Sequence, residues 1–196
     1  MEPFTLLRSV ALPIARANVD TDQILPARYL QKPRANDFGA YLFRDLRDLP
    51  GGAPDPEFVL NRAEYRGARI VVAARTFGCG SSREHAVWAL ADYGIRALVA
   101  PAYGDIFRSN AMKNGLLPVV LPEDAVMRML AALESRPGAE MTVDLGAQTV
   151  LGPENELHRF EIEPFPRHCL LAGLDELAYT FTHSERIAEF ERRYGP

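Results

Sequence analysis

Between Gly78 and His85 the chain reads Gly-Cys-Gly-Ser-Ser-Arg-Glu-His, its densest run of side chains able to do chemistry. Glycine lets a backbone turn sharply and come close to a ligand. The run lies where a helix should begin, and a helix N-terminus offers unpaired N–H groups and a positive dipole end. The segment is therefore built to hold an anion. Two other readings use the same residues. Ser81-Ser82-Arg83-Glu84 matches a capping box, with Ser81 as N-cap and Glu84 reaching back. Cys79, near a helix start with His85 in sequence range, could form a thiol nucleophile, but such a pair needs spatial confirmation. A stand-alone anion-binding module without catalysis would need only the helix terminus.

Known glycine-rich motifs do not fit. Arg83 stands where a dinucleotide fingerprint needs a third glycine, and no Gly-Lys-Ser/Thr tripeptide exists for a phosphate loop. A nucleophile elbow needs Gly-x-Ser-x-Gly, whereas this chain has Gly78-Cys79-Gly80-Ser81-Ser82.

The elements that must position this run are legible on both sides. Arg69 to Ala74 is a short, apolar, β-branched strand, and Glu84 to Tyr93 is a helix free of Gly and Pro. Arg96 to Ala100 reads as a second strand, Gly104 to Lys113 as a helix stopped by Asn114-Gly115, and Leu117 to Leu121 as a third strand. Pro122 opens a helix over Glu123 to Glu134. Strands alternating with helices indicate a parallel α/β unit. Upstream, Leu6 to Ile14 reads as an opening strand, with Pro13 arguing against a central sheet position near its end. Asp20-Thr21-Asp22 is a turn of Asx-capping type, and Gln23 to Pro26 leads out of it. Arg28 to Asn36 is a basic loop and Asp37 to Phe43 a short helix; Leu49 to Phe58 is a Pro- and Gly-rich excursion. Downstream of Pro137-Gly138, Met141 to Leu145, Thr149 to Leu151 and Arg159 to Ile162 read as a β-meander. Arg167 to Ala172 and His183 to Tyr194 read as helices.

With 196 residues the chain fits one domain, 1–196, and its 47% hydrophobic and 24% charged content is that of a globular protein. A net charge of −4 gives no footprint for nucleic acid or an anionic membrane, and no apolar run reaches the length of a membrane span. The N-terminus lacks the pattern of a secretory signal, and Cys79 and Cys169 make no disulfide framework, so a cytoplasmic setting is expected. Two widely separated cysteines cannot hold an iron–sulfur cluster, and the four histidines are too scattered for zinc. His168-Cys169 reads as a structural pair, since adjacent helical residues point about 100° apart. No metal ligand set is expected.

The run FGCGSSREHAVWALADYGIRALVAPAYGDIFRSNAMKNGLLPV resembles the central block of the 3-isopropylmalate dehydratase small-subunit family. It is similar, more distantly, to the swivelling domain of aconitases. Asn18 to Leu30 (NVDTDQILPARYL) resembles the family's first block, and Arg167 to Asp175 (RHCLLAGLD) its C-terminal block. The blocks fall in the family's order over nearly the whole chain. The resemblance implies an α/β fold: a swivelling β/β/α domain as in the C-terminal domain of aconitases, with a parallel core and additional β-strands.

It also implies a hydro-lyase that interconverts 2- and 3-isopropylmalate by dehydration and rehydration, in leucine biosynthesis. A homoaconitate or methylmalate-type substrate would use the same machinery with a different side-group pocket. By resemblance, Ser81 supplies the base as an alkoxide, and Ser82 and Arg83 bind substrate, Arg83 forming a planar fork for a carboxylate. The backbone N–H groups of Ser82 and Arg83 are expected to stabilise the Ser81 oxyanion. Arg34 is a further candidate for the substrate's side group, while Asp20, Thr21, Asp22, Gly78, Cys79 and Gly80 form a supporting loop. The four-iron four-sulfur cluster is expected on a partner large subunit.

Overall fold

A computed structural model describes residues 1–34 and 38–194. Seven strands form one mixed sheet: β1 (Leu6–Ile14), β2 (Ile70–Ala73), β3 (Ala97–Ala100), β4 (Leu117–Val120), β5 (Glu140–Asp144), β6 (Thr149–Leu151) and β7 (Leu157–Arg159). Their spatial order is β4-β3-β2-β1-β5-β6-β7. Strands β1 to β4 are mutually parallel, and β5 to β7 continue antiparallel. The expected α/β architecture, a parallel core extended by a meander, is what forms. The third meander strand ends at Arg159, short of the expected Ile162.

β1 lies at the centre of the sheet, contrary to the expectation drawn from Pro13. Its first half, Leu6 to Val10, pairs with β5, and its second half, Ala11 to Ile14, pairs with β2. The Ala11 N–H donates to Ala139 at 3.1 Å, on the β5 side. Two residues on, the nitrogen of Pro13 faces that same side, where β5 has already ended. The strand is central, but its proline sits where no donor is needed.

The parallel strands are buried on both faces, as their unbroken apolar runs require. Val71, Ala73, Leu98 and Ala100 face one core, with α3 (Glu84–Tyr93) and α4 (Asp105–Lys113) packed over them. Ile70, Val72, Ala97 and Val99 face the other, covered by α5 (Glu123–Ser135). Alternation along each strand thus decides which layer each side chain joins.

Shorter helices complete the chain. α1 (Thr21–Ile24) and α2 (Arg44–Arg47) precede β2, and Phe38–Tyr41 is a 3₁₀ turn where a short helix was expected. Asp37, that helix's expected first residue, and Asn36, the end of the basic loop, lie outside the described residues. α6 spans Pro164–Ala172, starting earlier than expected because proline is favoured in a first helical turn. α7 (Glu176–Phe181), capped by Asp175, has no counterpart in the sequence reading, and α8 spans Ser184–Tyr194. No helix among the described residues is long and apolar enough to cross a membrane.

Candidate active site

β1, β2 and β3 run in one direction, so the loops leaving their C-terminal ends emerge along one edge of the sheet. In open α/β sheets ligands bind at that edge. The loop after β1 carries Asp20, Thr21 and Asp22, and the loop after β2 carries Gly78 to Arg83. Short parallel bridges join Asp20 to Cys79 and Phe77 to Tyr103 of the loop after β3.

The first two loops are stitched together. The Gly78 N–H donates to Val19 at 2.7 Å, the Thr21 N–H to Cys79 at 3.0 Å, and the Thr21 hydroxyl to the Ser81 carbonyl at 3.0 Å. Thr21 is only 1% exposed, so its hydroxyl needs that acceptor. Asp20 Oδ1 accepts from the Gln23 N–H at 2.7 Å, so the expected Asx turn is an N-cap on the single turn of α1. Gly78 has φ +70°, and a Cβ there would stand 2.2 Å from the Phe107 ring. Only glycine fits at this crossing.

The capping box does not form. α3 starts at Glu84 with Arg83 as N-cap residue, and no side chain caps it. The Ser81 carbonyl accepts both the Arg83 N–H, at 2.8 Å, and the Thr21 hydroxyl, which holds Ser81 outside the helix. Glu84 turns away and accepts from Asn114 Nδ2 at 2.8 Å. The Arg83 N–H, expected to stabilise a charged Ser81 oxygen, is therefore engaged by the Ser81 carbonyl. Ser81 and Ser82 are both exposed at the sheet edge. The Arg83 guanidinium is ion-paired with Asp22.

Arg34 is not part of this cluster. Its guanidinium forks onto Asp92, at 2.8 and 3.2 Å, and lies 5.2 Å from the centre of the Trp88 ring. Asp92 is in the last turn of α3, about 12 Å along the axis from the first at 1.5 Å per residue. Arg28 likewise forks onto Asp45 and stands 4.7 Å over Tyr29. Its hydrogen bonds hold the Asp45 carboxyl below the usual carboxylate range.

The thiol reading finds no partner for Cys79 in His85. That imidazole packs 4.5 Å from Trp88 and 6.3 Å from Phe38, in an aromatic cluster on α3. Cys169 is buried, and burial pushes its thiol up, while the neighbouring His168 ring lies 6.0 Å from Tyr179. The two point apart, as helix geometry demands. Sequence reading missed Tyr103, whose buried hydroxyl donates to Val119 at 2.9 Å and whose ionisation burial suppresses. Its position in the loop after a third parallel strand was the available signal. Among the described residues, no group of three or more His, Cys, Asp or Glu side chains is placed to hold a metal ion. With its two cysteines on separate elements, this chain does not fit an iron–sulfur cluster.

Comparison with known proteins agrees with this architecture. The Aconitase C-terminal domain family matches residues 1–124, and LeuD_N matches residues 127–164. The chain is 48% identical over 200 residues to the 3-isopropylmalate dehydratase small subunit of Methylibium petroleiphilum, covering 97% of this chain and 93% of that protein. It is 51% identical over 193 residues to the protein of that name in Rhodospirillum centenum, covering 98% and 95%. The crystal structure of 3-isopropylmalate dehydratase (leuD) from Methanocaldococcus jannaschii superposes with a TM-score of 0.70 at 25% identity, covering 94% of this chain and 98% of that one. With the sheet-edge loops, the block order and these relatives in agreement, the chain belongs to the 3-isopropylmalate dehydratase small-subunit family, within the Aconitase C-terminal domain group.

Proposed function

We propose that this chain is the small subunit of a cytoplasmic 3-isopropylmalate dehydratase, acting as one swivelling domain against a large subunit that carries the four-iron four-sulfur cluster. The observation that carries this reading is the convergence of the Asp20–Asp22 turn and the Gly78–Arg83 loop on one exposed edge. That edge presents hydroxyls and a guanidinium, and among the described residues no group of three or more His, Cys, Asp or Glu side chains is placed to hold a metal ion, which fits a site completed by a partner.

The reaction removes a proton from a carbon beside a carboxylate, a very weak acid, and so needs a strong base. A serine hydroxyl open to water is far too weak for this role. Ser81 becomes basic only when the partner surface excludes water and supplies donors to its oxygen. In this scheme Ser81 Oγ takes and returns the substrate proton. Arg83 binds a substrate carboxylate, and Ser82 lines the same edge. Arg34 acts through the α3 surface, by holding the loop that carries it. The Thr21 stitch fixes Ser81 relative to β1, so that docking closes a preformed surface.

Mixing the purified chain with its own cluster-bearing large subunit tests the reading. Turnover of 2-isopropylmalate by the pair, and by neither chain alone, is the expected result. Turnover only of homoaconitate or methylmalate-type substrates would move the assignment within the family. A pair inactive on every substituted malate would overturn it.

A further inference from the structure

Arg28, Arg34 and Arg83 each pair with an aspartate, but not in the same way. Arg28 engages both carboxylate oxygens of Asp45, through Nη1 and Nη2. Arg34 engages both oxygens of Asp92, through Nε and Nη2. Each of those forks is filled by its own aspartate. Arg83 differs: only its Nη1 donates to Asp22, and only to Oδ1. A guanidinium has five N–H donors in a fixed plane, so one oxygen leaves most of the fork unused. Arg83 is also less exposed than Asp22, at 23% against 51% for the side chains, so its fork is confined while the carboxylate reaches in from solvent.

The backbone that carries the carboxylate is held firmly. Asp22 follows Thr21, whose amide and hydroxyl bond to Cys79 and Ser81, and α1 is capped by Asp20. The turn that carries Asp22 is thus fixed to the same backbone that carries Arg83. A flexible side chain pinned at one nitrogen by an acceptor on a fixed turn loses rotamer freedom before a ligand arrives, which lowers the cost of binding.

We infer that Asp22 is a positioning residue for substrate binding: by holding Arg83 Nη1 it aims the remaining edge of the guanidinium, Nε and Nη2, at an incoming substrate carboxylate. Asp22 does not touch the substrate and stays paired when substrate binds. The inference rests on the reading of Arg83 as the carboxylate binder.

The test uses the reconstituted two-chain enzyme with its cluster intact. Asp22→Ala raises KM for isopropylmalate on the order of 10-fold, the scale at which outer-shell partners act on the groups they orient, while kcat changes less than about threefold. Asp22→Asn keeps an acceptor oxygen with little change in shape, and its KM falls between wild type and alanine. In an Arg83→Lys background, which has lost the planar fork, Asp22→Ala changes kcat/KM by less than about twofold. An undiminished 10-fold effect in that background, or a fall in kcat with KM unchanged, overturns the inference while leaving Arg83 in its role. If Arg83→Lys alone leaves KM unchanged, the reading of Arg83 falls first and this inference with it. Should alanine reduce the folded or assembled fraction, Asp22→Asn carries the same test, and an unchanged KM in that folded variant is fatal to the proposal.

Discussion

The hydroxyl of Thr21 donates to the carbonyl oxygen of Ser81 at 3.0 Å, across 60 residues of sequence. One buried side chain on the loop after β1 thereby sets the backbone of the loop after β2. The same carbonyl takes the Arg83 N–H, so Ser81 is held by its backbone, and its exposed hydroxyl makes no hydrogen bond among the described residues.

Thr21→Val isolates that bond, since it replaces a hydroxyl by a methyl in a site with little room. Losing a buried hydrogen bond should cost about 1 kcal/mol of stability, measured by denaturant unfolding. Turnover of the assembled enzyme should fall more than the folded fraction does, because the Ser81 loop loses its anchor. Activity that tracks the folded fraction alone would mean the bond serves stability only.

Ser81→Ala now has a sharp expectation. A helix N-cap replaced by alanine costs about 0.5–2 kcal/mol, but Ser81 caps nothing in this fold. Its removal should change stability by less than about 0.5 kcal/mol, as for other exposed positions. Turnover with the large subunit should drop by several orders of magnitude. Near-normal turnover would remove Ser81 from the chemistry.

Gly78→Ala should be among the more damaging single changes in the chain. It combines a positive φ with a clash against the Phe107 ring, and losses of about 2 kcal/mol or more follow from such strain. Phe107→Ala should cost stability by itself, yet the double variant should be more stable than the sum of the two predicts, since the clash is gone. Strict additivity in urea unfolding would show that the crossing is looser than described.

The two thiols should separate in reactivity. Burial raises the Cys169 pKa, so at neutral pH its thiolate fraction is depressed and its access poor, while Cys79 is partly exposed. A thiol reagent at neutral pH should label Cys79 first in the folded chain, and both equally after unfolding. The sign for stability follows from the neutral form being favoured in the fold. That contribution is present below the unfolded thiol's pKa and is lost as pH rises through the folded one. Equal labelling rates in the folded chain would contradict the buried position.

The chain's local chemistry determined much by itself. Unbroken short apolar runs at Ile70–Ala73 and Ala97–Ala100, bounded by turn residues, read as strands buried on both faces, and the Gly- and Pro-free segment Glu84–Tyr93 buries its apolar stripe as a helix. The glycine-rich run between strand and helix marked the site because local backbone geometry is written in local residues. Tertiary structure decided the rest. The central place of β1 depended on β5 ending before Pro13, a long-range boundary that no window around the proline contains. Ser81-x-x-Glu84 satisfied the capping pattern, but Thr21 and Asn114, distant in sequence, offered Ser81 and Glu84 other partners. Arg34, Arg28 and Arg83 look alike as basic loop residues. Which of them keeps an open fork was settled by the aspartates the fold brought to each: Asp92 and Asp45 at two oxygens, and Asp22 at one. Hydrogen bonds form between groups that packing brings within about 3 Å, and sequence spacing does not measure that distance.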